Sequence, residues 1–180
     1  MRYILLTILI GFAMSVAAVD LRLHGEVTTF GSREVLGDVL VRVYRNGLKE
    51  QAFMTGAGGR YSVDLREGGH YIIRFSRPGH VTKCFAVDTH GAAWEGDARS
   101  VNVAVEMTLF EKVDGLDLSF FDLPMGLANF SPTTGYLSWD KEYEERIRPE
   151  VDRLMAEVAT HRLRNAPTVS HIGPSNEERQ

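Results

Sequence analysis

The stretch RYSVDLREGGHYIIRFSRPGHVTKCFAVDT, residues 60–89, decides the fold class of this chain. Apolar and polar residues alternate in it with a period of two, and glycine or proline interrupts the alternation at short intervals. Alternation of this kind places one face of a strand in a core and the other in solvent, and the interruptions are typical of tight turns. The stretch therefore predicts consecutive antiparallel strands joined by short turns.

The turn between the last two of these strands has the most specific signal. Pro78 presets φ for the second position of a turn, and Gly79 accepts the positive φ that a type II turn needs at its third position. We therefore predict a type II turn from Arg77 to His80, between two neighbouring strands.

The strand after this turn contains two residues that invite a chemical interpretation. Lys83 has the same parity as the apolar Phe85 and Val87, which predicts a β-bulge or an edge position. Cys84 is the only cysteine of the chain, so no internal disulfide forms. It shares the opposite parity with Ala86, which favours a small buried packing residue over a nucleophile.

The same alternation runs from Leu21 to Phe110 in about seven short segments separated by turn residues. Asn46–Gly47 is a strong two-residue hairpin signal, since both residues tolerate positive φ. The glycines of TGAGGRY precede a strand rather than a helix, which favours a β-turn over a phosphate loop. Residues 19–110 are therefore predicted to form a seven-strand antiparallel β-sandwich.

The chain changes character after Phe110. Residues 111–138 are apolar but have no fixed period, and we predict an extended strap that lies over the sandwich or against a partner. Residues 139–164 have helical spacing, with a kink or a restart expected at Pro149 because proline disrupts a helix interior. The polar residues 165–180 are predicted to be a disordered tail.

The N-terminus predicts export. Arg2 is followed by a short apolar run and by small residues, and Val16 and Ala18 fit the positions before a signal-peptidase cut. We predict a signal peptide over residues 1–18, and no stable membrane span after its removal. The mature chain is expected to be soluble and exported.

Composition and motifs exclude several classes of function. A net charge of −4 without a basic run argues against nucleic-acid binding. The six histidines have no metal-ligand spacing, and Asp114, Asp117 and Asp122 lack the regularity of a calcium loop. No catalytic residue, metal ligand or cofactor is therefore predicted.

A set of turn residues resembles the carboxypeptidase regulatory-like (transthyretin-like) β-sandwich family, in the form seen in exported proteins of Bacteroidetes-type bacteria. These residues are Thr55, Gly59, Tyr61, Gly69, Tyr71 and Gly79 with His80. The resemblance covers about residues 21–110 and implies a sandwich that serves as an accessory module. With the predicted export, it implies a location in the periplasm or at the cell surface of a Gram-negative bacterium. It does not carry peptidase activity, because no catalytic domain or zinc motif follows.

These observations predict a non-enzymatic exported scaffold that docks on an envelope protein complex or an outer-membrane protein. The alternative is a small-ligand or glycan-binding module using Trp94 and Trp139. An enzyme acting through His80 and Cys84 ranks third. The residues predicted to contact a partner are Arg77, His80, Phe120, Phe121, Trp139, Tyr143 and Ile147.

Overall fold

In a computed structural model of the protein, which describes residues 21–91 and 101–165, two β-sheets are followed by one long helix. The predicted fold class, a mainly β sandwich with a C-terminal helix, is thereby confirmed. The predicted signal peptide (1–18), Trp94 and residues 166–180 of the predicted tail lie outside the described residues. The elements in chain order are β1 (Leu21–Thr29), β2 (Leu40–Arg45), β3 (Leu48–Met54), β4 (Arg60–Leu65), β5 (His70–Ser76), β6 (Lys83–Asp88), β7 (Val101–Ala104), β8 (Met107–Leu109), β9 (Pro124–Ser131), β10 (Tyr136–Trp139) and α1 (Lys141–Asn165).

The two sheets differ in size. In the first, β1 lies between β4 and β7, and β8 pairs with β1 beyond the end of β7. The second has the strand order β10-β9-β6-β5-β2-β3. The described residues contain ten strands where seven were predicted, because the predicted last strand is divided into β7 and β8 and because β9 and β10 follow. The pairings β1–β7, β1–β8 and β6–β9 are parallel, whereas the sequence predicted an antiparallel sandwich.

The main core lies between the two sheets and is built from the inward residues of alternating strands. Tyr61 of the first sheet meets Phe75 of the second edge to face, with ring centres 4.9 Å apart. Phe75 stacks in turn beside Phe85 on the neighbouring strand. The main core comprises Leu21, Leu23, Val27, Leu36, Val39, Val41, Val43, Tyr61, Val63, Leu65, Tyr71, Ile73, Phe75, Phe85, Val87, Met107, Leu109, Ala128 and Phe130.

The two predicted turns are found where the sequence placed them. Gly79 has φ of 74°, and the His80 amide donates to the Arg77 carbonyl across 3.0 Å. Asn46 and Gly47 both have positive φ, 49° and 82°, and connect β2 to β3. Positive φ at both central residues gives a turn whose twist matches that of the two strands it joins. Because these turns are short, β2 lies beside β3 and β5 lies beside β6 in the second sheet.

The break between β7 and β8 has a local cause at β1. A Cβ at Gly25 would collide with the Val105 carbonyl, so the two backbones approach more closely than a side chain permits. The Tyr61 hydroxyl, on the strand opposite Gly25, donates to that same carbonyl. Burial of Tyr61 raises the pKa of its hydroxyl, which keeps it a donor.

The segment predicted as a strap, residues 111–138, contributes to the sheet. It forms a short 3₁₀ turn, Ser119–Asp122, and then β9, which pairs with β6 in parallel. Ala128 and Phe130 of β9 belong to the main core. The sandwich therefore extends beyond residue 110, and the segment packs on its own chain.

The helix α1 begins after Asp140, whose carboxylate accepts a hydrogen bond from the Tyr143 amide at 2.9 Å, as a helix N-cap does. Trp139, predicted in the helix, ends β10 instead. The helix continues through Pro149 without a restart. In the described ranges, no helix combines the length and apolarity needed to cross a membrane.

A second, smaller apolar cluster joins the segment after β8 to α1, and we call it the strap–helix core. Leu154 and Val158 are the buried residues of α1, and they lie one helical turn apart on the face turned to the sandwich. The buried residues of the strap–helix core are Val81, Phe110, Phe121, Leu154 and Val158. This cluster fixes the helix against one end of the sandwich.

Candidate functional site

A pocket of about 410 Å³ lies where the two sheets meet the beginning of α1. One side is formed by residues around β8 and the other by β6, β9 and β10, so the two sheets both contribute to it. Its apolar walls are Phe85, Val105, Met107, Met125 and Trp139. Its charged residues are Arg33, Lys83, Glu106, Asp140 and Glu144. Apolar walls with a few polar groups are typical of small-molecule sites.

Lys83 enters this region because of its register on β6. It lies opposite Phe75 across the β5–β6 pair and shares the inward parity of Phe85. On the same parity, Val81 belongs to the strap–helix core and Phe85 to the main core. Lys83 therefore stands at the boundary between the two cores, where an apolar residue would be expected.

The ammonium group of Lys83 is surrounded by aromatic rings. Its nitrogen lies 5.0, 5.4 and 5.8 Å from the ring centres of Phe110, Phe121 and Phe30. Ring faces attract a cation, but they supply no hydrogen-bond acceptor of the strength of a carboxylate. Burial lowers the pKa of Lys83 to about 8, because the charged form has lost much of its water.

The acidic groups of the pocket are engaged elsewhere. Glu106 pairs with Arg33 at 3.4 Å, and Glu144 pairs with Arg148 at 3.0 Å. Asp140 caps the helix through a backbone amide. Within residues 21–91 and 101–165, no carboxylate or carbonyl oxygen lies within hydrogen-bonding distance of the Lys83 nitrogen. Lys83 thus has no ion-pair partner among the described residues, although three carboxylates line the same pocket.

Trp139 forms the outer wall of the pocket. Its ring packs edge to face on Phe85, with ring centres 6.0 Å apart. It also lies against Gly126, where a Cβ would come within 2.8 Å of the indole ring. Trp139 is 40% exposed, so it lies at the surface as well as lining the pocket. Gly126 is therefore needed for the position of this wall.

Of the residues predicted to contact a partner, His80 and Phe121 are buried within the chain. The His80 ring lies 3.1 Å from the Pro78 carbonyl, and its backbone forms a bridge with Glu111. Phe121 meets Phe110 edge to face inside the strap–helix core. These two residues hold the segment after β8 against its own sandwich, and their prediction as partner contacts is corrected.

The remaining predicted contacts are distributed over the surface. Arg77 is half-buried in its turn, and Phe120 and Ile147 are half-buried beside the strap–helix core and on α1. Tyr143 donates its hydroxyl to the Pro124 carbonyl at 2.8 Å, which ties α1 to β9. Only Trp139 among the predicted contacts lines the pocket.

Cys84 and His80 do not form a catalytic pair. The Cys84 thiol is buried and donates to the Asp122 carbonyl at 3.4 Å, whereas the His80 ring faces the carbonyl of Pro78. Burial raises the pKa of the thiol, which disfavours the reactive thiolate form. The prediction that Cys84 is a packing residue agrees with this position.

His70 and His90 both lie near Asp88, at one end of β5 and β6. His90 lies 2.7 Å from Asp88, and His70 is opposite Asp88 in the β5–β6 pair, whereas His80 lies at the other end of these strands. No group of three or more His, Cys, Asp or Glu side chains in the described ranges is placed to hold a metal ion.

The sequence did contain a signal for Lys83, namely a charged residue on the inward parity of a strand. It was interpreted as a bulge or an edge position. The β6–β9 register shifts between Cys84 and Ala86, but the extra residue lies in β9, and the β5–β6 register is continuous through Lys83. The edge position is wrong, because β6 has neighbours on both sides. An inward lysine on an interior strand indicates a pocket or a buried charge.

No family model matches this chain, and no curated protein matches it either. Among solved structures, a 3-chlorocatechol 1,2-dioxygenase from Rhodococcus opacus is 10% identical with a TM-score of 0.41, covering 53% of this chain and 62% of that one. A catechol 1,2-dioxygenase from Acinetobacter is 15% identical with a TM-score of 0.40, covering 58% and 57%. The dioxygenase domain of a carbohydrate-binding protein fusion from Streptomyces is 12% identical with a TM-score of 0.40, covering 55% and 84%.

These neighbours contradict the prediction that the chain is not an enzyme. That prediction treated a β-sandwich without a recognised motif as a non-catalytic scaffold, and the similar solved chains are dioxygenases. The prediction is therefore withdrawn. The chain spans only 62% and 53% of the first two matching chains. At identities of 15% or less and TM-scores near 0.4, the likeness carries no reaction or catalytic residue to this chain.

Proposed function

We propose that this chain is an exported β-sandwich module that binds a small molecule in the pocket beside Lys83. The observation that carries the proposal is a cavity of about 410 Å³ with apolar walls and a cation that has no ion-pair partner among the described residues. Cavities of this size are sufficient for a drug-sized ligand. The apolar walls favour an apolar body over a glycan, whose hydroxyl groups would require more acceptors and donors.

Binding is tested with N-phenyl-1-naphthylamine, a neutral apolar fluorophore that accepts energy from tryptophan. In a Trp94→Phe background, Trp139 is the single remaining tryptophan of the chain. We expect saturable binding with energy transfer from Trp139. Absence of saturable binding would overturn the proposal.

A pair of glycine variants locates the bound probe. Gly126→Leu introduces a side chain where the Trp139 ring lies, and we expect at least fivefold weaker binding. Gly58→Leu is the matched control, because nothing lies within 4 Å of a Cβ at that turn position. Equal weakening in both variants would place the probe outside the pocket.

Export is proposed on the pattern of residues 1–18. Cleavage after Ala18 would leave Val19 as the first residue of the mature protein. Intact mass and N-terminal sequencing of the protein from a periplasmic fraction test this directly. Recovery of the full-length chain from the cytoplasm would contradict it.

The resemblance to carboxypeptidase regulatory-like sandwiches remains a proposal about origin and role. It is supported by the positive φ of Gly59 and Gly79, two of the turn glycines on which the resemblance rests. In this proposal the module accompanies an envelope assembly of a Gram-negative bacterium.

A second candidate function, docking on an envelope protein complex or outer-membrane protein, is supported by one surface. Leu123 is 48% exposed and lines a shallow depression with the half-buried Phe120 and the charged Glu150 and Arg153 of α1. An apolar centre with a charged rim suits a protein contact.

This docking is tested by affinity capture from envelope extracts with the tagged mature protein. We expect a partner with the unmodified chain and with Leu163→Asp, but not with Leu123→Asp. Leu163 is the matched control because it is 78% exposed near the end of α1. Recovery of the unmodified protein as a free monomer would contradict the docking proposal.

A further inference from the structure

We propose that the ligand of the Lys83 pocket is an organic anion, with an apolar or aromatic body against Trp139 and Met125 and its acid group on the Lys83 ammonium. This inference rests on the proposed small-molecule function and specifies the chemical class of the ligand. It depends on the placement of charges around the pocket, on the aromatic environment of Lys83 and on the size of the cavity.

Ion pairing leaves Lys83 as the pocket's unpaired cation among the described residues. Among the described residues, two cations line the pocket, Arg33 and Lys83, and Arg33 is paired with Glu106 at the exposed rim. Lys83 has no such partner among the described residues. An entering acid group therefore has one cation available to it, and does not need to break an existing ion pair.

Three phenyl rings, which we call the phenyl cage, lie around the Lys83 ammonium. The rings of Phe30, Phe110 and Phe121 stabilise a positive charge through their faces, yet leave its three N–H donors without strong acceptors. A carboxylate or sulfonate supplies charge-assisted hydrogen bonds that are shorter and stronger than neutral ones. A neutral ligand does not supply charge-assisted hydrogen bonds to these donors, and a cationic ligand is repelled.

The Lys83 side chain is long enough to bring its ammonium to a ligand in the pocket. Lys83 lines the pocket, and its flexible stem lets the ammonium turn from the phenyl cage towards a ligand. The apolar walls Met107, Met125 and Trp139 lie beside it and accommodate the ligand body. An acid with a compact apolar body fits a cavity of this volume better than a long polar chain.

Binding of an anion to Lys83 couples to protonation. Because the pKa of Lys83 lies at about 8 in the free protein, an anion that stabilises the ammonium raises this pKa and is released when the pH rises above it. The other titratable and charged groups facing the pocket are Arg33 from the β1–β2 connection, Glu106 from the β7–β8 connection, and Asp140 and Glu144 at the start of α1.

The test compares two probes that differ only in charge. 1-Anilinonaphthalene-8-sulfonate is N-phenyl-1-naphthylamine with an added sulfonate, so the ratio of their dissociation constants isolates the acid group. In the Trp94→Phe background at pH 7, we expect the sulfonate to bind at least tenfold more tightly. Weaker binding in Gly126→Leu than in Gly58→Leu reports that each probe occupies the pocket.

Lys83→Met removes the charge while keeping an unbranched apolar stem, and we expect it to abolish the preference for the sulfonate. Lys49→Met is the matched control, since Lys49 is exposed on β3 at the far edge of the second sheet. In the unmodified protein the preference should also disappear between pH 7 and pH 10. This pH titration tests the inference even if Lys83→Met does not fold.

The outcomes separate the two levels of the proposal. Binding of the neutral probe without a preference for the sulfonate, or a preference that survives Lys83→Met, would overturn the anion inference and leave the small-molecule function standing. Binding of neither probe would overturn both. Binding of the sulfonate alone, lost in Lys83→Met and kept in Lys49→Met, would support the inference.

Discussion

The main core and the strap–helix core are built from the same kinds of side chain but from different arrangements of the chain. The main core comes largely from strands whose apolar residues alternate along the sequence. Several of these strands, such as β5 and β6, are consecutive in the chain and adjacent in the sheet. The strap–helix core joins Val81, Phe110, Phe121 and Leu154, which come from four separate segments. Periodicity identifies a core of the first kind, whereas the second kind depends on contacts between distant segments.

The boundary between the two cores is where the chain places its unusual charge. Lys83 follows Val81 of the strap–helix core and precedes Phe85 of the main core, with the same parity as both. Neither cluster closes over it completely, and the pocket occupies the remaining space. The comparison teaches that the candidate site is produced by the junction of two cores rather than by a sequence motif.

The largest expected effect follows from truncation in the main core. Phe75 is fully buried between Tyr61 and Phe85, so Phe75→Ala should reduce the free energy of unfolding by about 3–5 kcal/mol. Chemical denaturation measures the loss, and hydrogen exchange should accelerate in both sheets and in α1. Acceleration confined to β5 would show that the main core does not hold the whole fold together.

Truncation in the strap–helix core should have a smaller and more local effect. Leu154 is buried on α1, and we expect Leu154→Ala to reduce the free energy of unfolding by about 2–3 kcal/mol. Hydrogen exchange should accelerate more in α1 than in β5. Leu163→Ala, on an exposed position of the same helix, is the control. Equal acceleration in α1 and β5 would remove the distinction between the two cores.

Replacement of the boundary lysine should stabilise the protein at neutral pH. Lys83→Met removes a desolvated charge, and after allowance for solvent screening we expect a gain of about 1–2 kcal/mol in the free energy of unfolding at pH 7. In the unmodified protein, the free-energy cost of burying the charged Lys83 ammonium is fully present below pH 8. It is relieved as the pH rises from about 8 towards 10.5, where the folded state has lost the proton and the unfolded state still binds it.

The advantage of Lys83→Met should therefore shrink between pH 7 and pH 10 in denaturation measurements. Lys49→Met is the control, because an exposed lysine has no comparable penalty to relieve. An advantage that stays constant over this range, or a less stable Lys83→Met protein at pH 7, would contradict the account of a desolvated ammonium.

The smallest expected effect is in the turn that the sequence predicted most specifically. Gly79 has φ of 74° and nothing within 4 Å of a Cβ, so Gly79→Ala introduces backbone strain without a steric collision. We expect a loss of about 1 kcal/mol, measured as a lower thermal midpoint. A loss as large as that of Phe75→Ala would indicate that the turn, rather than the core, limits stability.

Local sequence chemistry predicted much of the fold. The seven predicted strands occur as β1 to β8 because their inward residues alternate and their turns contain glycines or Asn–Gly at positions of positive φ. β9 was missed because its segment, PMGLANFS, contains proline and glycine and has no clear alternation. Its strand structure depends on parallel pairing with β6, a contact between segments that are far apart in the chain.

The candidate site was predicted only in part. Trp139 was identified as a functional residue, but as a partner contact in a helix rather than as the wall of a pocket. Lys83 was noticed for its parity and was assigned to a bulge or an edge. Met125 and Gly126 reach the pocket through the β6–β9 pairing, so no local pattern could have joined them to Lys83.

The central claim, that Lys83 is a desolvated cation at the junction of the two cores, is tested most directly by its own titration. The chain contains four lysines, at positions 49, 83, 112 and 141, so ¹³Cε-labelled lysine gives a spectrum that Lys83→Met can assign. The account predicts a pKa of about 8 for Lys83 and a higher pKa after addition of 1-anilinonaphthalene-8-sulfonate. A Lys83 pKa at its ordinary value of 10.5, unchanged by the sulfonate, would contradict it.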